Sequence, residues 1–201
     1  MNVVSARAAA LGDSFVRLQK KVGFDVHSEF YVNDSGRQIR LLGESVRARA
    51  LQLNGQQAEI PEGGYHGGYV KDIARKTLQK YKGDLLEIDM ENLGRWCAEQ
   101  IVAEQRNTLE KYGITFDRWF FESELHRKKS HLKTLAKLEK AGHIYKKDGA
   151  KYFRSTDFGD DEDRVVVTSD GRSTYFLPDI AYHQDKEERG YDKAFDLLGP
   201  D

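Results

Sequence analysis

At 201 residues the chain can form one domain, or one and a fraction, and its 39% hydrophobic content supports a core. A net charge of −1 beside a 32% charged fraction excludes a uniformly basic nucleic-acid binder, while leaving room for a local basic face. No apolar run is long enough for a membrane span, the N-terminus lacks a secretory layout, and the lone Cys97 has no partner for an internal disulfide; together these predict a cytoplasmic protein.

In chain order, residues 4–22 read as a helix, with alanines at 6, 8, 9 and 10 and Leu11, Phe15, Leu18 and Val22 at helical spacing. Val3 and Val4 read as the end of an extended segment. Gly23 stops the helix, and residues 24–32 alternate as a buried strand. Asn33-Asp34-Ser35-Gly36 is turn chemistry that opens a second helix over 35–54. A glycine-rich loop over 55–68 precedes a short amphipathic helix over 69–81. The long helix 90–112 turns Leu93, Trp96, Cys97, Ile101, Val102 and Leu109 inward, and residues 116–121 read as an aromatic strand. One basic helix is predicted over 126–141. Strands follow over 143–145, 152–154 and 165–168, with Asp148-Gly149 and Asp170-Gly171 as hairpin turns. The stretch 174–186 is helical, with Pro178 placing its start near Leu177, and 192–198 reads as a last strand. Strands alternating with helices predict an α/β sheet with an inserted α+β segment.

Several groups carry chemistry. Tyr175 and Asp179, four residues apart on a helix, put a phenol and a carboxylate on one face, which suits a planar cation such as a guanidinium. Asn2 and Ser5 lead into the first helix, where such residues cap the helix or meet a phosphate. Gly63, Gly64, Gly67 and Gly68 make either a flexible loop or an anion nest, without the Lys-Ser/Thr ending of a phosphate loop. Asp157-Phe158-Gly159 has no kinase context upstream. Asp160, Asp161, Glu162 and Asp163 read as a solvated turn rather than a metal loop, ordered through an ion pair by Asp157 or Arg164. His126, His131, His143 and Cys97 lack zinc-site spacing. Arg127, Lys128, Lys129, Lys133, Lys137 and Lys140 form a cationic helix, either a solvated face or a phosphate contact.

Three stretches in combination carry a resemblance: Phe30 to Gly36 (FYVNDSG), Pro61 to Ala74 (PEGGYHGGYVKDIA), and Ser173 to His183 (STYFLPDIAYH). Together they resemble the catalytic core of the arginyl-tRNA synthetases. The first match continues through Gln38, Gly43, Ser45 and Arg49. The resemblance implies an α/β fold: a partial Rossmann-like (class I synthetase, HUP-type) nucleotide-binding core with an inserted α+β segment. Residues 1–54 are the expected first part of that core, 55–150 a mainly helical insertion, and 151–201 the hairpin and arginine-binding helix.

The resemblance implies arginine–tRNA ligase activity: ATP with Mg2+ activates L-arginine, and the arginyl group passes to tRNA-Arg. Tyr175 and Asp179 stand at the family's arginine-binding positions. Asn2 and Ser5 stand where the family's HIGH motif places two histidines at the ATP site. The family's strand before that motif, its KMSKS-type loop and its tRNA-elbow and anticodon-binding domains are expected to be missing. The chain is therefore expected to be inactive alone, with a complementary synthetase fragment as a further partner. The competing reading is a non-catalytic paralogue that binds arginine or tRNA.

Overall fold

A computed structural model describes residues 3–82 and 85–198, so Asn2 lies outside the described residues. The chain divides into two compact units, one built on residues up to Phe121 with Leu197 returning to it, the other on Glu122–Asp196.

In the first unit, α1 spans Val3–Lys21, β1 Glu29–Val32, α2 Gly36–Leu53, α3 Gly68–Lys80, α4 Met90–Lys111 and β2 Arg118–Phe121. The core lies between α2, α3 and α4. Ile39, Leu42, Val46 and Ala50 recur on one face of α2 and meet Val70, Ile73 and Ala74 of α3 and Leu93, Cys97 and Ala98 of α4. Trp96 and Ile101 only line its edge. Two glycines let α2 and α4 touch. A Cβ on Gly43 would stand 2.5 Å from the Met90 carbonyl, and one on Gly94 would stand 2.0 Å from the Ile39 carbonyl.

The resemblance-bearing residues of α2 have structural duties. The fully buried Ser45 donates to the Leu41 carbonyl at 2.6 Å and accepts from the Tyr65 amide at 2.9 Å. Gln38 accepts from the Tyr65 hydroxyl. The glycine-rich loop is thereby fastened to α2.

Strands β1 and β2 pair in parallel, Glu29 opposite Arg118 through Val32 opposite Phe121. The strand predicted over 24–32 forms only in its last four residues. Asp117 explains where it begins: its carboxylate takes the Ser28 amide and hydroxyl, each at 2.7 Å, so a side chain replaces the next ladder rung. Ser28 and its hydrogen bonds lower the Asp117 carboxyl below its ordinary value.

One expectation for α1 fails. Val3 and Val4 are helical, not extended. Leu11, Leu18 and Val22 face outward, at 53%, 66% and 69% exposure, while Ala9 on the opposite side meets Leu109 and Ile114. The small side of the helix is the one that seats, because only there do α4 and the following loop approach it.

In the second unit, α5 spans Glu122–Arg127, α6 Ser130–Lys140, β3 Ile144–Lys147, β4 Ala150–Phe153, β5 Arg164–Val167 and α7 Phe176–Glu188, with a 3-10 turn at Ser155–Phe158. The single basic helix predicted over 126–141 is two. Lys129 adopts φ 53°, a left-handed conformation that breaks the helix, and Ser130 restarts it. Strands β3, β4 and β5 form an antiparallel meander. Asp148 and Gly149, at φ 50° and 79°, make the predicted hairpin turn between β3 and β4. Leu135, Val166 and Leu177 center the core of this unit. The strand predicted over 192–198 is not formed: among the described residues no partner strand pairs with it, and Asp196 turns instead toward α7.

Candidate substrate site on helix α7

The hairpin after β5 delivers the chain to α7. The Thr168 amide donates to the Arg172 carbonyl at 2.8 Å, and the Thr174 hydroxyl donates to the Val165 carbonyl at 2.6 Å. Arg172 grips Asp170 and holds its carboxyl down at about 2. Pro178 falls in the first turn of the helix, where its missing N–H costs nothing. Leu177, Pro178, Ala181 and Tyr182 are buried and fix the helix, which starts at Phe176, close to the predicted position.

The opposite face carries the candidate site. Tyr175, at the N-cap position, is 85% exposed. The Asp179 amide donates to the Tyr175 carbonyl at 3.2 Å, so the two residues sit one turn apart, as their spacing predicts. More than half the Asp179 side chain is open to solvent, and its one ion-pair contact among the described residues is the His183 imidazole, Nε2 lying 3.9 Å from Oδ1. That distance is beyond a hydrogen bond, so among the described residues both carboxylate oxygens of Asp179 are uncommitted.

Behind them, His183 Nδ1 lies 3.9 Å from Asp196 Oδ2. Lys186 pairs with the same Asp196 and lies 4.3 Å over the Tyr182 ring. Sequence reasoning did not assign His183 or Asp196. His183 was legible as the next step of the 175–179 period. Asp196 was not, because it arrives after the chain leaves the helix. The arrangement is a phenol and a carboxylate on a rigid helix, with an imidazole between two acids one turn on. It can receive a planar cation through Asp179 with two parallel N–H···O bonds.

The acidic stretch is a solvated turn, with the Asp161 and Glu162 side chains 86% and 70% exposed, and it is ordered by an ion pair. Arg164 reaches Asp160 with two hydrogen bonds of 2.8 and 2.7 Å, Asp161 at 2.9 Å and Glu162 at 2.7 Å. Asp163 accepts from the Thr156 amide at 3.1 Å and hydroxyl at 2.8 Å. Arg164 holds the Asp160 carboxyl well below the usual range. Of the two ordering residues expected, Arg164 is the one that acts. Among the described residues no cluster of His, Cys, Asp and Glu is placed to hold a metal ion. His126 and His131 pack against each other, tilted by 60°, with ring centers 4.8 Å apart, and His143 packs on Phe158 at 5.3 Å. Ser5 lies in the first turns of α1, partly buried, in the other unit.

A parallel strand pair flanked by helices, with a helical segment between its strands, is the kind of core that class I synthetases use. The family model for tRNA synthetases class I (R), catalytic domain, matches residues 1–197, and the chain belongs to that family. Its relatives there are arginine–tRNA ligases. It is 43% identical to that of Leptospira interrogans and 45% identical to that of Moorella thermoacetica, each over 100% of this chain. The chain spans 39% and 37% of those two proteins' lengths. A crystal structure assigned to arginyl-tRNA synthetase of Campylobacter jejuni superposes with a TM-score of 0.87 at 33% identity, over 96% of this chain and 43% of that one. The arginyl-tRNA synthetase of Plasmodium falciparum, at 16% identity, shares the fold with a TM-score of 0.65 over 91% of this chain and 32% of that one. Among the described residues no helix is long and apolar enough to cross a membrane.

Proposed function

We propose that this chain is the arginine-recognizing part of an arginine–tRNA ligase. The whole protein would activate L-arginine with ATP, releasing pyrophosphate, and then pass the arginyl group from the adenylate to tRNA-Arg, releasing AMP. The observation that carries this reading is the uncommitted Asp179 carboxylate one turn from the exposed Tyr175 phenol. Asp179 would take the guanidinium in a two-point pair, and Tyr175 would border the bound amino acid. The fixed helix supplies positioning rather than proton transfer. A lysine side chain, a point charge, matches such a fork poorly.

Asn2 and Ser5 are read as the ATP-facing pair, contributing hydrogen bonds without imidazolium charge. Magnesium would arrive with ATP as part of that substrate. Residues 1–54 and 55–150 are read as nucleotide-binding core and helical insertion, with β2 of the insertion completing the parallel pair. The protein would work in the cytoplasm, and a complementary synthetase segment is a natural partner.

Calorimetric titration of the chain tests the reading. L-arginine is expected to bind and L-lysine to bind far more weakly. Asp179→Asn should lose about tenfold or more in arginine affinity, since hydrogen bonds between charged groups are each worth roughly 1.5–3 kcal/mol. Equal binding of arginine by the variant, or of lysine by the wild type, overturns the assignment. The absence of imidazole at positions 2 and 5 favors a second reading, a paralogue that binds arginine or tRNA without catalysis. Arginine-dependent ATP–pyrophosphate exchange by the product of the whole coding region separates the two. The 201-residue chain alone is expected to show no exchange and no charging.

A further inference from the structure

Charge is segregated along the second unit. Residues 127–147 hold eight Lys or Arg and one acidic residue, Glu139, in a chain whose net charge is −1. Helix α6 sorts these charges by face. At 100° per residue, Lys133, Lys137 and Lys140 fall within one stripe, and Lys129 precedes them at the left-handed start of the helix. Thr134 and Leu135 are buried on the opposite side. Glu139 lies off the stripe and is spent on Lys151 at 2.7 Å. Lys137 has a carboxylate partner, Glu188, at 3.3 Å. Among the described residues no ion pair reaches Lys129, Lys133 or Lys140, nor their neighbors Arg127, Lys146 and Lys147. A protein ordinarily intersperses its surface charges, so a row of lysines on one helix face, of which only Lys137 has a carboxylate partner, is set for an extended anion.

We propose that the α6 stripe is an RNA-backbone contact, with Lys133 and Lys140 as its two cations outside any ion pair among the described residues. The inference rests on the ligase reading for the identity of the RNA, a transfer RNA. The stripe runs from Lys133 to Lys140, about 10 Å along the helix axis at 1.5 Å per residue. That reach spans neighboring phosphates of a stem. A lipid surface fits less well. A helix that binds bilayers keeps an apolar face for insertion, and the apolar face of α6 is already spent on Val166 and Leu177 in the core. Compact lysine charges without aromatic or amide neighbors on the stripe bind phosphates by charge, with little sequence preference.

The test compares two double charge reversals in the 201-residue chain. Lys133→Glu with Lys140→Glu reverses the two stripe cations that lie outside any ion pair. Lys21→Glu with Lys111→Glu changes the net charge equally at exposed sites in the other unit. Binding of fluorescent unfractionated tRNA is followed by anisotropy across a salt series, and L-arginine binding is titrated on the same samples. The wild type is expected to bind tRNA with a steep salt dependence. The stripe variant should lose about tenfold or more in affinity, and its log–log salt slope should become shallower by about 1.5–2, as two lost phosphate contacts require. The control should stay within about twofold of wild type. Both variants should keep wild-type arginine affinity, which reports that they are folded. Lys133→Gln with Lys140→Gln should fall between wild type and the reversal. Unchanged tRNA affinity in the stripe variant, an equal loss in the control, or binding to phosphatidylserine vesicles in place of tRNA overturns the proposal. The ligase reading fails separately, through loss of arginine binding with tRNA binding intact.

Discussion

Single side chains in this protein divide into those fixed by burial and those left uncommitted at the surface. Cys97 belongs to the first kind. It is fully buried in the α2–α3–α4 core, and burial pushes its thiol up to about 12, with only a small opposing pull from Lys80. At neutral pH it therefore holds its proton, and the thiolate that attacks disulfide reagents is absent. We expect Ellman's reagent to leave the native chain unmodified over hours at pH 8 and to react within minutes after denaturation. Fast reaction of the native protein would show that the core opens at this position. Asp179 belongs to the second kind, and the contrast with Asp160 shows why. Both are acids near basic groups, but Asp160 is saturated by Arg164, whereas Asp179 has only a distant imidazole. The Tyr175–Asp179 pair was legible in the sequence because helical spacing alone sets it. Arg164 was legible as one of two ordering residues, but not that it would take Asp160, Asp161 and Glu162 together, since that depends on how the loop folds back.

Between elements, the helix crossing of α2 and α4 is the tightest contact in the first unit. It exists because two positions lack a Cβ. At Gly94 an added methyl would meet the Ile39 carbonyl carbon at 2.8 Å as well as its oxygen, and these are backbone atoms that a rotamer change cannot move. Gly94→Ala must therefore push the helices apart, at a cost of about 3 kcal/mol or more, the upper end for overpacking. Denaturant unfolding is expected to show that loss with an unchanged m-value, and Gly68→Ala, where nothing lies near the new methyl, should cost far less. The same crossing shows what sequence can carry. Helices α2, α3 and α4 were readable because their apolar residues recur at the helical period. The α5–α6 break was not, because it rests on a lysine in a left-handed conformation, and nothing in the residue type announces it. The final strand was misread for a related reason. Alternation is necessary for a strand, but a partner edge is also required, and pairing is not written in a single segment.

The first unit as a whole exposes more apolar surface than its composition implies. On α1, Val4, Leu11, Leu18 and Val22 lie on one stripe at 53–69% exposure, and Phe24 follows at 64%. A contiguous apolar strip of this kind is unusual on a soluble monomer and binds apolar dyes or other copies of the chain. The chain covers 37–39% of the two relatives compared above, so its surface is not that of their complete proteins. In the isolated chain, we expect strong 1-anilinonaphthalene-8-sulfonate fluorescence and concentration-dependent sedimentation. Leu11→Lys with Leu18→Lys should remove most of both while leaving the melting temperature nearly unchanged, because these side chains contribute little to the core. A large fall in melting temperature would instead mean that the stripe is packed within the native chain, and unchanged dye binding would place the apolar surface elsewhere. The variant should keep wild-type affinity for arginine, since Tyr175 and Asp179 stand on a separate compact unit with its own core around Leu135, Val166 and Leu177. Loss of arginine binding from changes on α1 would show that the two units depend on each other for folding.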